Sequence, residues 1–130
     1  MLLSSTGDLL PHEEVIPKNL NSMLKWLVKT GRFFQPIVVD GGSKVILDGH
    51  HRWNAAKALG LERVPVVAVD YMRSDDVSVD VWPGCGRDTI TKRQVVDMGV
   101  SGNLFPPKTS RHTFAFPIPK IGIPLDDLMD

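Results

Sequence analysis

The sequence has a single cysteine among its 130 residues. Cys85 therefore has no internal disulfide partner, which suits a reducing compartment, and a cytoplasmic location is expected. Long apolar runs are missing as well: nothing approaches the roughly 18 residues of a membrane-spanning helix. The opening "MLLSSTGDLLPHEE" is too weakly apolar and too acidic for a secretory signal. A soluble chain without a membrane partner is expected. Nor is there an excess of either charge, since fifteen Lys and Arg balance fifteen Asp and Glu. That balance makes a nucleic-acid partner, gripped chiefly through its phosphates, an unfavoured reading, although a local basic patch stays open. No HExxH, no paired Cys/His ligand set and no Gly-rich Walker A loop occurs, so neither structural zinc nor a P-loop is expected.

What is present reads as an ordinary globular chain, with 42% apolar and 23% charged residues. At this length one domain over residues 1–130 is expected. In "PKNLNSMLKWLVKTG", Leu20, Met23, Leu24, Leu27 and Val28 recur at helical spacing between Pro17 and Gly31, which predicts a helix. "QPIVVDGGSKVILDG" holds two β-branched runs joined by Asp40-Gly41-Gly42-Ser43, the chemistry of a hairpin or a bulged variant of one. From His51 to Leu59 the pattern turns helical, with Gly60 as its stop. "RVPVVAVDY" reads as a buried strand, "DVSVDVW" as a half-buried one, and Thr91 as the cap of a helix over "KRQVVDMG". The tail, residues 105–130, reads as loop and carries five of the ten prolines. Together these elements predict an α+β class, a small mixed sheet with helices packed on it.

Three clusters carry chemistry. Asp48-Gly49-His50-His51-Arg52 lies where a strand passes into a helix. First-turn amides lack intrahelical partners and sit at the positive end of the helix dipole, so a phosphate can be held there, with Arg52 adding a bidentate fork. Gly49 permits close approach of the anion, and Asp48 can accept a proton or hold Mg²⁺. Asp is equally a common helix cap, and the histidines equally solvated. The second cluster, "PHEE" at 11–14, offers His12, Glu13 and Glu14: acids favoured near a helix N-terminus, or a general base or metal ligand facing the first cluster. In the third, "FPPKTSRH", Lys108, Thr109, Ser110, Arg111 and His112 bring two fixed cations, two hydroxyls and an imidazole, either a clamp for an anion or a solvated basic loop. All four histidines fall in these clusters and none in the expected core, which points to one shared site. Trp82 reads as rim packing or as a ligand stack.

At "VILDGHHRWNAAKALGLERVPVVAV" the sequence resembles the ParB/sulfiredoxin superfamily, whose shared strand, turn and helix hold nucleotide phosphates. Within it, "DGHHR" looks more like the ADP-dependent free serine kinases than like sulfiredoxin, whose catalytic cysteine aligns with His50. ParB partition proteins carry a helix-turn-helix domain after this module, for which no room is expected here. "LLPHEE" and "LFPPKTSRH" resemble two further segments of the kinases. The resemblance implies a ParB/sulfiredoxin-like fold and phosphoryl transfer from ADP, or ATP, to free L-serine or a similar small metabolite with Mg²⁺. It implies Glu13, or else Glu14, and Asp48 as the groups activating the hydroxyl, Asp48 also reaching the metal. Gly49, His50, His51 and Arg52 would cradle the donor phosphates, and Trp82, Lys108, Thr109, Arg111 and His112 would hold the substrate. A ParB-like nucleotide- or DNA-binding module that transfers nothing is the second expectation. A metal-dependent nuclease, whose carboxylates only Asp48 and the two glutamates supply, is the third.

Overall fold

The structure is a computed structural model and describes residues 1–129. In chain order the elements are β1 (Leu2–Ser5), α1 (Pro17–Thr30), β2 (Arg32–Phe33), β3 (Ile37–Asp40), β4 (Ile46–Asp48), α2 (His50–Ala58), β5 (Arg63–Val69), β6 (Val77–Val81), α3 (Lys92–Ser101), β7 (Ser110–Phe114) and β8 (Ile123–Pro124). The main sheet runs β1-β5-β3-β4 and is mixed: β3 and β5 are parallel, and the outer strands pair antiparallel. Two antiparallel ribbons, β2-β8 and β6-β7, complete an α+β architecture.

The uninterrupted β-branched runs follow from burial of the main sheet on both faces. Ile37 and Val39 of β3 and Ile46 of β4 point into a core shared with Leu27 of α1 and Trp53, Ala55 and Ala56 of α2. Val38, Val45 and Leu47 point the other way, against Tyr71, Val77, Val95 and Phe105. The hairpin expected at Asp40–Ser43 forms with a bulge between Val38 and Val39, and Asp40 Oδ2 accepts from the Ser43 hydroxyl at 2.6 Å and amide at 3.1 Å.

Helix ends follow the expected chemistry. Pro17 opens α1, and Gly31, at φ +67°, returns its N–H to the Leu27 carbonyl at 2.8 Å. Thr91 and Gln94 form a reciprocal capping box on α3. Gly99 lets α3 lie against the sheet: a Cβ there would come within 2.6 Å of Val45 Cγ2.

Four expectations need correction. Val28 is 65% exposed, so the buried stripe of α1 is narrower than its apolar spacing. Asp48 does not cap α2; Gly49 is the N-cap, and Asp48 instead pairs with Arg52 one turn on. β1 has no sequence signature, because it is a short edge strand with Leu2 and Leu3 exposed. The tail is not loop throughout. Ser110–Phe114 forms β7, in register with β6 (Val79 opposite His112), and Leu128 is fully buried.

Candidate active site

The segment between β1 and α1 acts as a clasp. Leu10 bridges to Val45: its N–H donates to the Lys44 carbonyl, and its carbonyl accepts from the Ile46 N–H at 2.8 Å. Two residues on, Phe105 N–H donates to the His12 carbonyl at 2.8 Å, and Glu14 N–H donates to the Phe105 carbonyl at 2.9 Å. The chain around residues 10–14 is thereby held between the end of β4 and the segment leading into β7. Through these main-chain bonds the three chemistry-bearing clusters meet.

They surround one cavity of about 240 Å³. Glu13 and Glu14 come from the clasp; Asp48, Gly49, His50 and His51 from the β4–α2 junction; Trp82, Lys108, Ser110, Arg111 and His112 from the β6–β7 side. The Glu13 carboxylate is fixed through Oε1, which accepts from Thr109 N at 3.0 Å and Ser110 N at 2.8 Å and lies 3.1 Å from Ser110 Oγ. Trp82 Nε1 donates to the Ser110 carbonyl at 3.0 Å, while the Arg111 guanidinium lies 5.2 Å and Lys108 Nζ 5.8 Å from its ring centre. Trp82 therefore serves as a wall that holds two cations by their apolar and π faces.

Three of the histidines, His12, His50 and His112, pack together rather than standing in solvent, and His51 is half-buried beside them. His12 is fully buried, contrary to the expectation that no histidine enters the core, and its ring meets His50 edge-on at 4.6 Å. Its Nδ1 lies 2.7 Å from the Ile46 carbonyl and its Nε2 2.8 Å from Ser110 Oγ. His50 Nε2 accepts from the His12 amide, and His51 Nε2 from the Ile16 amide. His112 Nε2 is 2.9 Å from the Tyr71 hydroxyl. Burial lowers all four: His12 to about 4, with the Ile46 carbonyl opposing, and His112 to about 3, helped by the charges of His12 and Lys92. His50 falls well below its usual range through burial and then its three histidine neighbours, and His51 is lowered chiefly by burial. At neutral pH these rings are uncharged scaffolding. The positive charge facing the cavity comes from Lys108 and Arg111 and from the N-terminal end of α2.

Burial pushes the Glu13 carboxyl up, and the main-chain N–H groups of Ser110 and Thr109 restrain the rise. A carboxylate so placed is a stronger base than an exposed one. Asp48 keeps its side chain 45% exposed and one oxygen on Arg52 at 3.1 Å.

Two of the expected site residues lie outside the cavity lining. Arg52 turns away to Gln35 (2.9 Å), the Pro36 carbonyl (3.2 Å) and Asp48. The Thr109 side chain is buried on the Pro106 carbonyl at 2.7 Å, and only its amide reaches the site. Two other residues enter unannounced. Ser110 was visible only as one of two hydroxyls in its cluster, and Tyr71, which holds His112, had no signal beyond closing a strand.

Residues 5–82 match the ParB N-terminal domain family, and the chain belongs to that family. Curated relatives include a ParB-like protein of Sulfolobus acidocaldarius, 44% identical over 78 residues, covering 60% of this chain and 38% of that protein. An ATP-dependent L-serine kinase of Staphylothermus marinus is 36% identical over 85 residues, 62% of this chain and 33% of that one. An ADP-dependent L-serine kinase of Thermococcus kodakarensis is 40% identical over 76 residues, 55% of this chain and 31% of that one. The chain thus spans about a third of the length of these curated relatives. Among solved structures, a free serine kinase in complex with AMP superposes with a TM-score of 0.88 at 20% identity, over 98% of this chain and 92% of that one. At that identity the likeness is one of fold: the ParB/sulfiredoxin-like fold read from the sequence is the fold found.

Proposed function

We propose that this protein transfers a phosphoryl group from ADP or ATP to the hydroxyl of free L-serine or a similar small metabolite, in the cytoplasm and with Mg²⁺. One observation carries the reading: a fixed, half-buried carboxylate, a helix N-terminus beside an acid, and two fixed cations all line the same cavity. Phosphoryl transfer needs chiefly positioning, charge neutralisation and a base near the acceptor. The serine kinases among the relatives support the same choice of chemistry.

In this reading the first-turn amides of α2, opened by Gly49, receive the donor phosphates. Lys108 and Arg111 neutralise charge on the transferred group or hold the substrate carboxylate. Glu13 takes the hydroxyl proton as the new O–P bond forms and the bond from that phosphorus to the nucleotide's bridging oxygen breaks, leaving AMP from ADP or ADP from ATP. Neutral His112, held by Tyr71, orients the acceptor by hydrogen bonding. Asp48 is the residue that would hold Mg²⁺. The donor set fits, because Mg²⁺ is usually bound by one or two carboxylates together with phosphate oxygens, and the Asp48 side chain is 45% exposed at the cavity lining. Bound there, the ion supplies charge neutralisation on the phosphates. The cavity, about 240 Å³, lies below the roughly 300–1,000 Å³ of drug-sized sites. It suits an amino acid and the reacting phosphates, with the nucleoside outside its rim.

The test is to incubate the protein with Mg²⁺, L-serine and either ADP or ATP and to follow O-phosphoserine by phosphorus NMR. Product with one donor supports the reading and names the donor. Nucleotide binding by calorimetry without product moves the protein to the class of ParB-like modules that bind and transfer nothing.

A further inference from the structure

Ser110 has one hydroxyl proton and two acceptors within reach, His12 Nε2 at 2.8 Å and Glu13 Oε1 at 3.1 Å. The partner of His12 Nδ1 decides between them. The Ile46 carbonyl, 2.7 Å from Nδ1, can only accept, so the single proton of the neutral ring sits on Nδ1 and Nε2 is a bare lone pair. His12 is fully buried, and Ser110 is the donor that Nε2 meets. Glu13 Oε1, by contrast, already accepts from the main-chain amides of Thr109 and Ser110. Leaving a buried acceptor unpaired is more costly than denying a third bond to an oxygen that already has two.

We propose that Ser110 is a positioning residue for Glu13: its hydroxyl proton is committed to His12, and its oxygen turns lone pairs toward Glu13 Oε1. This rests on the reading of Glu13 as the base. The carboxylate is then gripped by two amides at Oε1, and none of these contacts involves Oε2, which is the oxygen left for the substrate hydroxyl. The lone pairs facing Oε1 disfavour the charged carboxylate and so keep it basic. His12, invisible to the substrate, sets this arrangement through Ile46. The charged groups sharing the cavity with Glu13 are Glu14 and Asp48 on one side and Lys108 and Arg111 on the other. The imidazoles of His12, His50, His51 and His112 are neutral around it.

The sequence has three glutamates, Glu13, Glu14 and Glu62, so a carbon-13 carboxyl titration is readily assigned with Glu13→Gln. The experiment is that titration, with nitrogen-15 imidazole shifts of His12, on the wild type, Ser110→Ala and Ser110→Thr. Ser110→Cys keeps the volume with a weaker donor and serves if the alanine variant does not fold. The expected result is His12 protonated on Nδ1 and a Glu13 midpoint that moves to lower pH in Ser110→Ala and Ser110→Cys but not in Ser110→Thr. Movement to higher pH would show the hydroxyl donating to Glu13, and no movement would reduce Ser110 to a main-chain role; either overturns the proposal. None of these readouts needs turnover, so their failure is distinct from a failure to phosphorylate serine.

Discussion

Glu13 Oε1 accepts a hydrogen bond from the main-chain nitrogen of Ser110 at 2.8 Å, across 97 positions of sequence. The candidate base and the anion clamp are thus one unit, joined by the backbone of β7 rather than by flexible side chains. Because Thr109 N reaches the same oxygen, shifting β7 along β6 by one residue would remove both bonds at once.

Gly49→Ala tests the close approach at the start of α2. The residue sits at φ +103°, and an added Cβ would stand 2.9 Å from Arg52 Nη2 and 3.2 Å from Ile37 Cγ1. Since Arg52 Nη2 is the atom that holds Asp48, the variant is expected to lose that pair along with stability. Strain of this kind costs about 1–3 kcal/mol. A lower denaturant midpoint with an unchanged slope checks it.

Gly99→Ala sets helix propensity against packing. Alanine gains about 1 kcal/mol in a helix, whereas the Val45 methyl at 2.6 Å would have to give way. Overpacking costs about 1–3 kcal/mol, so net destabilisation is expected. A melting temperature at or above that of the wild type would show that α3 moves off the sheet freely.

Much of the helical frame was legible in the sequence. α1 and α3 carry their boundary chemistry within a few residues, at Pro17, Gly31, Thr91 and Gln94, and both formed as expected. β7 did not announce itself, because its inward positions begin with Ser110 and His112 rather than with apolar side chains. The meeting of the three clusters was legible only as a coincidence of histidines. Its cause, the bridges of Leu10 to Val45 and of Glu13 to Phe105, is main-chain pairing that no side-chain pattern records. Arg52 leaves the cavity for a local reason: the carboxylate of Asp48, four residues earlier at the end of β4, competes for its guanidinium.

Stability should fall as pH drops below neutral. His12 and His112 are held at about 4 and about 3 in the folded protein, below the usual value of 6.5, and His50 is lowered too. Between those values the unfolded chain binds more protons than the folded one. The stabilisation is present above pH ~6.5 and is lost as pH falls toward the folded values. Glu13, raised on folding, opposes this in the window just above the usual carboxylate range. Denaturant titrations at pH 7 and pH 5 should give a clearly lower unfolding free energy at pH 5; equal values would mean that the histidine cluster is not buried.

Arg111→Ala is expected to weaken the anion side of the cavity without unfolding the chain, since the residue is exposed on β7. Hydrogen bonds to charged groups contribute about 1.5–3 kcal/mol, so a loss of roughly 10- to 100-fold in apparent affinity for the donor or for serine follows. The split between the two KM values tells which of them the guanidinium touches.

The central claim is that Glu13 removes the proton from the acceptor hydroxyl. The most direct measurement is the serine-dependent release of AMP from ADP, or of ADP from ATP, by the wild type and by Glu13→Gln, with nucleotide affinity measured beside it. General-base removal lowers rate by about 10²–10⁴-fold, and a loss in that range with nucleotide binding retained is expected. A Glu13→Gln variant that phosphorylates serine at the wild-type rate would contradict it.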